Sequence, residues 1–309
     1  MLLRQIHYLI ALAKTRHFGR AAEVCHVSQP ALSSGLRHLE ETLGVTLIQR
    51  GQRFEGFTPE GERLLAWARR LAADWDGMKQ EAALCNARLT GSLRVGAIPT
   101  TLPVTPLFTE PYQAAHPGVR VEIQSLSSER IIRQLDEFEL DLGLSYLEDA
   151  RLQGFRTHFL YRERYVLLTR ATSVPPRLDW AKAAEYPLCL LTPNMQNRRI
   201  IDAAFRDAGV TPCVKVETDS VFALYAHVRC AGLCGVVPHS LLYLFEMRQE
   251  VTAVPLEPEL SRPIGLIARQ QDLPPPVQAA AWDIATRLQL QARFDALIES
   301  LNLAIQPND

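Results

Sequence analysis

Apolar positions in the first fifty residues recur at helical spacing. Ile6, Leu9, Ile10 and Ala13 share one helix face. Phe18-Gly19-Arg20-Ala21-Ala22 opens a second, short helix. His26-Val27-Ser28 reads as a turn with Ser28 as N-cap, and Gln29 and Pro30 then fall in the first turn of a third helix, where proline is tolerated. Leu32, Leu36 and Leu39 form the buried stripe of that helix and Gly44 ends it, which leaves Ser33, Ser34, Arg37 and His38 on its other faces. Residues 45–50 and 54–57 suggest a short hairpin around Gly51-Gln52-Arg53.

Thr58-Pro59 marks the start of a much longer helix, an N-cap followed by an N1 proline. Between Gly61 and Gly91 the only interruption is Gly77. Leu64, Ala68, Leu71, Trp75, Met78, Ala82, Cys85 and Leu89 recur with alternating steps of four and three. A heptad seam this long predicts pairing with another helix. The competing reading is a core helix within one globule, for which the stripe is narrow.

Beyond residue 91 the pattern changes to alternating strands and helices. Strands are predicted at 93–98, 119–124 and 140–146, with helices at 107–115 and 129–137 between them. A second series places strands at 165–169, 188–191, 215–217 and 235–237, and helices at 198–208 and 221–231. A late strand at 264–269 and a closing helix at 277–301 follow. The alternation predicts an α/β fold with a mostly parallel sheet. Two similar lobes, with the chain returning to the first, account for the late strand and helix.

The chain has 309 residues, enough for about two domains. Lys+Arg 33 against Asp+Glu 34 gives a net charge of −1, which excludes a protein that coats nucleic acid by overall charge. The charge is unevenly placed, however. Residues 1–53 hold seven basic and three acidic side chains, a net of +4, so the remaining 256 carry −5. A small basic head on a mildly acidic body is a nucleic-acid pattern. Six cysteines (Cys25, Cys85, Cys189, Cys213, Cys230 and Cys234) in so long a chain do not make a disulfide scaffold. No signal-peptide pattern and no 18-residue apolar run occurs, so a cytoplasmic location without membrane association is expected.

Several motifs then converge. Phe18-Gly19-Arg20-Ala21-Ala22, Val27-Ser28-Gln29-Pro30-Ala31-Leu32-Ser33, Leu36, Leu39-Glu40, Leu43-Gly44-Val45, Leu47-Ile48-Gln49-Arg50 and Thr58-Pro59-Glu60-Gly61-Glu62 together resemble the N-terminus of LysR-type transcriptional regulators. The rest of the chain fits that family in length and alternation. The resemblance implies a winged helix-turn-helix DNA-binding domain at 1–58, a linker and dimerisation helix at 59–90, and an effector-binding domain at 91–309. That last domain is expected to resemble periplasmic solute-binding proteins, with lobe 1 near 91–161 and 267–309 and lobe 2 near 162–266. The resemblance further implies a dimer assembling into a homotetramer on promoter DNA, with RNA polymerase as a further candidate partner. Arg50-Gly51-Gln52-Arg53 and Glu60 depart from the family's usual pattern.

On this reading the helix starting at Ser28 enters the major groove. Gln29 is suited to adenine, Arg37 to guanine or phosphate, and Ser33 and Ser34 are short enough to approach bases or phosphates. Pro30 lies in the same turn, Ser28 is better suited to capping than to base contact, and Arg50 and Arg53 on the wing are suited to phosphate or the minor groove. Each taken singly also fits a solvated polar face.

A ligand cleft is expected at strand ends beside helix N-termini. The candidates are Thr100 and Thr101 after the first strand, Ser127 and Ser128, Ser145, and in the second lobe Asn194, Gln196 and Asp219. Each also fits a plain capping role. Hydroxyls before a helix suit a carboxylate or oxyanion, so a small anionic metabolite is expected. Arg198 and Arg199 are able to neutralise an acid, though arginines on a helix are usually solvated.

Three alternatives remain open at this point. Cys189, Cys230 and Cys234 could serve a redox sensor of the same family, although core filling explains them as well. The second half alone would suit a solute-binding protein. An enzyme is the third, against which the chain shows no Gly-x-Ser-x-Gly, Walker, His-Glu-x-x-His or Gly-rich dinucleotide motif. No cofactor is expected and no metal site, since Cys230, Cys234 and His227 do not make a closed ligand set.

Overall fold

The structure, a computed structural model, describes residues 2–50, 54–86, 88–171, 174–245 and 251–304. It contains two compact units, one formed chiefly by Met1–Leu89 and the other by Thr90–Asp136, Leu140–Asp272 and the residues from Val277 onward.

In the first unit, α1 (Leu2–Thr15), α2 (Phe18–Val24) and α3 (Gln29–Leu43) enclose a core that includes Leu9, Leu12, Ala21, Leu32, Leu36 and Leu39. The expected caps are in place. Ser28 Oγ accepts from the Ala31 N–H at 3.3 Å, and Gly44 closes α3 in the left-handed region at φ 69°. The His17 ring accepts from the Gly19 and Arg20 N–H groups and so caps α2. The wing strands β1 (Ile48–Arg50) and β2 (Phe54–Phe57) pair antiparallel. Glu40 Oε1 anchors the approach to them, accepting the Leu47 N–H at 2.9 Å and the Ile48 N–H at 3.2 Å.

The long helix α4 (Pro59–Cys85) opens with Thr58 Oγ1 accepting the Gly61 N–H at 2.9 Å. Gly61 must be glycine, because a Cβ there would strike the Leu47 carbonyl oxygen. With 27 residues, α4 is about 40 Å long. Three expectations for the seam need correction. The helix stops at Cys85, so Leu89 lies beyond it and is buried. Ala68 is buried in the head's core and Leu64 packs partly against it. The first turns of α4 are thus the fourth wall of the head, with Leu65 and Ala72 completing that contact.

The second unit begins with β3 (Gly91–Ala97), α5 (Pro106–Ala115), β4 (Val119–Ser125), α6 (Ser128–Asp136) and β5 (Leu142–Tyr146). These three strands are parallel in the order β4-β3-β5, as the alternation predicts. β6 (Phe155–Thr169) then runs fifteen residues. The chain continues through β7 (Leu178–Asp179), α7 (Trp180–Ala183), β8 (Leu188–Leu191), α8 (Gln196–Asp207), β9 (Val214–Thr218), α9 (Val221–Ala231), β10 (Gly235–Pro238) and α10 (Leu242–Phe245). It closes with β11 (Thr252–Glu257), β12 (Ser261–Arg269), α11 (Pro276–Thr286) and α12 (Leu290–Ala304). The single closing helix of the sequence reading is therefore two.

The sheet is more mixed than expected. β12 runs antiparallel to β5 and to β6 from Phe155 to Arg164. From Tyr165 onward β6 pairs antiparallel with β10 and β11 instead. β6 is thus one strand shared by two lobes, and the crossing falls between Arg164 and Tyr165. All of β12 belongs to the first lobe's sheet, so the second lobe ends before Ser261 rather than at 266. The second lobe keeps the parallel pair β8-β9, with a parallel bridge from Leu188 to Cys234. Among the described residues no helix is long and apolar enough to cross a membrane.

Candidate nucleic-acid interface and ligand cleft

The α3 stripe Leu32, Leu36 and Leu39 faces the head's core, which turns the polar side chains outward. Gln29, Pro30, Ser34 and Arg37 are exposed and Ser33 is half-buried. Ser28 is exposed as well, with its hydroxyl engaged as the cap. One exposed surface therefore carries an amide able to pair bidentately, two short hydroxyls and a guanidinium, beside a positive helix end. Arg53 lies outside the described residues, as does the side chain of Arg50.

On α4 the face turned from the head is apolar and uncovered. Trp67, Leu71, Trp75 and Met78 are 61%, 49%, 39% and 54% exposed. Ala82 and Cys85 are exposed too. Trp67 is not part of the predicted seam because it stands one position before Ala68, and only the packing of Ala68 shows which of the two faces outward.

In the second unit a cleft of roughly 260 Å³ opens between the lobes. Six of the eight predicted ligand residues line it, namely Thr100, Ser127, Ser128, Asn194, Gln196 and Asp219. The other two are turned inside. Thr101 Oγ1 donates to the Ile98 carbonyl at 3.0 Å, and Ser145 Oγ donates to Ser128 Oγ at 2.9 Å. Ser145 thereby positions a cleft hydroxyl without meeting the cleft itself.

The cleft's two ends are helix N-termini. Ser127 Oγ caps α6 by accepting the Arg130 N–H at 3.3 Å. No side chain caps α8, whose N-cap is Met195, so its first-turn N–H groups have no side-chain acceptor. Charge at the rim is balanced, with Arg130 and Asp219 both at the cleft. Arg198 does not serve the cleft as a free cation. Its Nη1 donates to the Leu191 carbonyl at 2.8 Å and to Glu217 at 2.7 Å, and its Nε donates to Asp202 at 2.7 Å. It ties α8 to the ends of β8 and β9, while Arg199 Nη2 donates to the Asn194 carbonyl at 3.2 Å.

Sequence reasoning misses Tyr146 on the floor of the cleft. Tyr146, at the end of β5, and Asn197, in the first turn of α8, both line it. Tyr146 and Tyr165 hydroxyls stand 3.4 Å apart, and Asn197 Nδ2 donates to Tyr165 Oη at 3.3 Å. Tyr165 in turn donates to Glu163 Oε1 at 2.6 Å. Glu163 is wholly buried, and burial pushes its carboxyl up to about 7 against the pull of Tyr165, Tyr146 and Arg262. Thr100 Oγ1 lies near the Tyr146 hydroxyl but completes no well-formed hydrogen bond, although it is buried.

Among the described residues no cysteine lines the cleft. Cys189 and Cys234 are buried, and desolvation raises both thiols, which disfavours thiolate. Cys230 is exposed on α9. Among the described residues no group of His, Cys, Asp and Glu is arranged to hold a metal ion.

The head and cleft together define a class of protein, a helix-turn-helix module joined to a two-lobed ligand-binding module. The family models named "Bacterial regulatory helix-turn-helix protein, lysR family" and "LysR substrate binding domain" match residues 3–62 and 86–289. The chain belongs to the LysR family of transcriptional regulators. It is 31% identical over 203 residues to a "Hydrogen peroxide-inducible genes activator" of Haemophilus influenzae, covering 65% of each protein. The chain spans about half the length of other curated relatives of that description. A full-length OxyR variant from Pseudomonas aeruginosa superimposes with a TM-score of 0.72 at 25% identity, covering 94% of this chain and 98% of that one. Full-length CbnR, solved with its target DNA, shares the fold with a TM-score of 0.64 at 21% identity, covering 93% and 99%.

Proposed function

We propose that this chain is a sequence-specific DNA-binding transcriptional regulator governed by a small anionic metabolite held between the two lobes. The observation that carries the reading is one chain presenting both the exposed polar face of α3 and a cleft flanked by two helix N-termini. Gln29, Ser33, Ser34 and Arg37 supply base and phosphate contacts, with Pro30 and the Ser28 cap fixing the start of the helix. One head has a small footprint, so specific affinity calls for two heads on two half-sites. The uncovered α4 stripe supplies the pairing, and such dimers pair again into a tetramer on promoter DNA.

In the cleft, Thr100, Ser127, Ser128, Asn194 and Gln196 offer neutral donors, and the uncapped start of α8 offers backbone N–H groups. Preorganised neutral donors and positive helix ends suit an oxyanion. The test is a gel shift with DNA from upstream of the chain's own gene, joined to a thermal-shift screen of small carboxylates and other small acids. A ligand of the native state raises the unfolding midpoint, and Thr100→Val is expected to erase the rise. An undiminished rise in that variant would place the ligand elsewhere.

The likeness to hydrogen peroxide-inducible activators favours a second reading, a regulator switched by cysteine oxidation. The buried, raised thiols of Cys189 and Cys234 and the cysteine-free cleft lining speak for the metabolite. Peroxide or iodoacetamide altering the gel shift of wild type, and sparing that of Cys230→Ser or Cys189→Ser, would support oxidation instead.

A further inference from the structure

The crossing between the lobes holds an arrangement that ligand binding alone does not require. Glu163 sits on β6 next to the point where that strand leaves one lobe's sheet for the other's, opposite Arg262 of β12. Its carboxyl is wholly buried, with Oε2 making no hydrogen bond. From Oε1 a relay runs through Tyr165 to Asn197 of the second lobe and to Tyr146 of the first. The last two residues line the cleft. A buried carboxyl is thus two hydrogen bonds from both walls of the cleft, within a low-dielectric interior where hydrogen-bond chains polarise one another.

We infer that Glu163 is a buried proton switch at the lobe crossing, whose ionisation sets the relay ending on Tyr146 and Asn197. As a carboxylate, Glu163 draws the Tyr165 O–H toward itself. The Tyr165 oxygen then becomes a better acceptor, and it holds the Asn197 amide and the Tyr146 hydroxyl to the relay. As a carboxylic acid it releases that hold, leaving both groups freer to meet a ligand or water. The relay operates in this way whatever occupies the cleft.

The groups facing Glu163 come from several elements. Tyr146 approaches from β5, Arg262 from β12, and Tyr161 and Tyr165 from β6 itself. Asn197 of α8 is neutral. His239, which accepts the Arg164 N–H at 2.9 Å, responds to Arg164 and Asp295 rather than to Glu163. Burial outweighs these partners, so the folded chain keeps the proton up to about pH 7, whereas an unfolded glutamate releases it near 4.5. Between those values the folded state binds more protons than the unfolded state. Stability from this group is therefore full below about pH 4.5, falls as pH rises, and levels off above about 7.

The full chain is tested without ligand, as wild type, Glu163→Gln, Tyr165→Phe and Arg262→Gln. Thermal unfolding between pH 5 and 9 is expected to show a wild-type decline exceeding that of Glu163→Gln by on the order of 5 °C. The infrared band of a protonated carboxyl should titrate near neutrality in wild type and be missing in Glu163→Gln. Tyr165→Phe and Arg262→Gln each remove a group that favours the anion, so the same transition should move to higher pH. Hydrogen exchange in the first turn of α8, corrected for intrinsic pH dependence, should step at the wild-type transition and run smoothly in Glu163→Gln. A transition retained by Glu163→Gln, or unmoved in both other variants, overturns the switch. An exchange profile without the step overturns the relay to the cleft. Should Glu163→Gln fail to fold, the shifts in the other two variants decide the matter.

Discussion

Glu40 shows how much one side chain can do in a small head. From α3 it reaches across the turn to accept two backbone N–H groups that lead into the wing. Removing its carboxylate leaves both donors without that acceptor. Glu40→Ala is expected to lose about 1–3 kcal/mol in urea unfolding, with Glu40→Gln recovering part of the loss. Gln29, by contrast, is exposed, and the proposed function gives it a base to read. Gln29→Ala should leave stability unchanged and cost about 1–3 kcal/mol on the preferred sequence, with little change on random DNA. Equal losses on both in anisotropy titrations would refute a base-reading role. At this scale the caps of Ser28 and Thr58 are legible because capping is local. The inward turn of Thr101 and Ser145 is not, since Thr101 Oγ1 reaches the Leu144 carbonyl of β5 as well as the local Ile98 carbonyl, and Ser145 meets Ser128 of α6.

The helix α4 is one element with two duties. Its first turns close the head through Leu65, Ala68 and Ala72, and its remaining length exposes Leu71, Trp75 and Met78. The heptad spacing reveals the stripe but not the division of labour, because a/d spacing says nothing of which partner each turn meets. A Trp or Leu buried in a helix pair contributes roughly 1.5–3 kcal/mol, so a charge in the middle of the stripe is costly. Leu65→Asp should unfold the head, while Leu71→Asp should keep the head's circular dichroism and unfolding midpoint. Loss of the head's fold in Leu71→Asp would mean that the exposed stripe serves the monomer. The strand β6 is only half legible for a different reason. Arg156, Arg162, Glu163 and Arg164 interrupt its apolar pattern, and its residues from Phe155 to Arg164 are held by pairing with β12 rather than by alternation.

For the molecule as a whole, the proposed function asks that a ligand favour one arrangement of the paired chains over another. Besides the return from β11 to β12, the chain passes between the lobes at the Arg164–Tyr165 crossing. That crossing is invisible to a local reading of the chain, because Arg164 meets its strand partner Ser261 only through the folded sheet. The head is legible over some sixty residues because caps, stripe and turn are contiguous there. The proposed function requires that two heads act together through α4. Its most direct measurement pairs sedimentation velocity with anisotropy titration on upstream DNA, for wild type and Leu71→Asp at one salt concentration. If the heads act as a pair, Leu71→Asp sediments as a folded monomer and loses affinity for its specific site by about a hundredfold or more, while weak binding to random DNA persists. A variant that remains dimeric, or a folded monomer that binds the specific site as tightly as wild type, would contradict it.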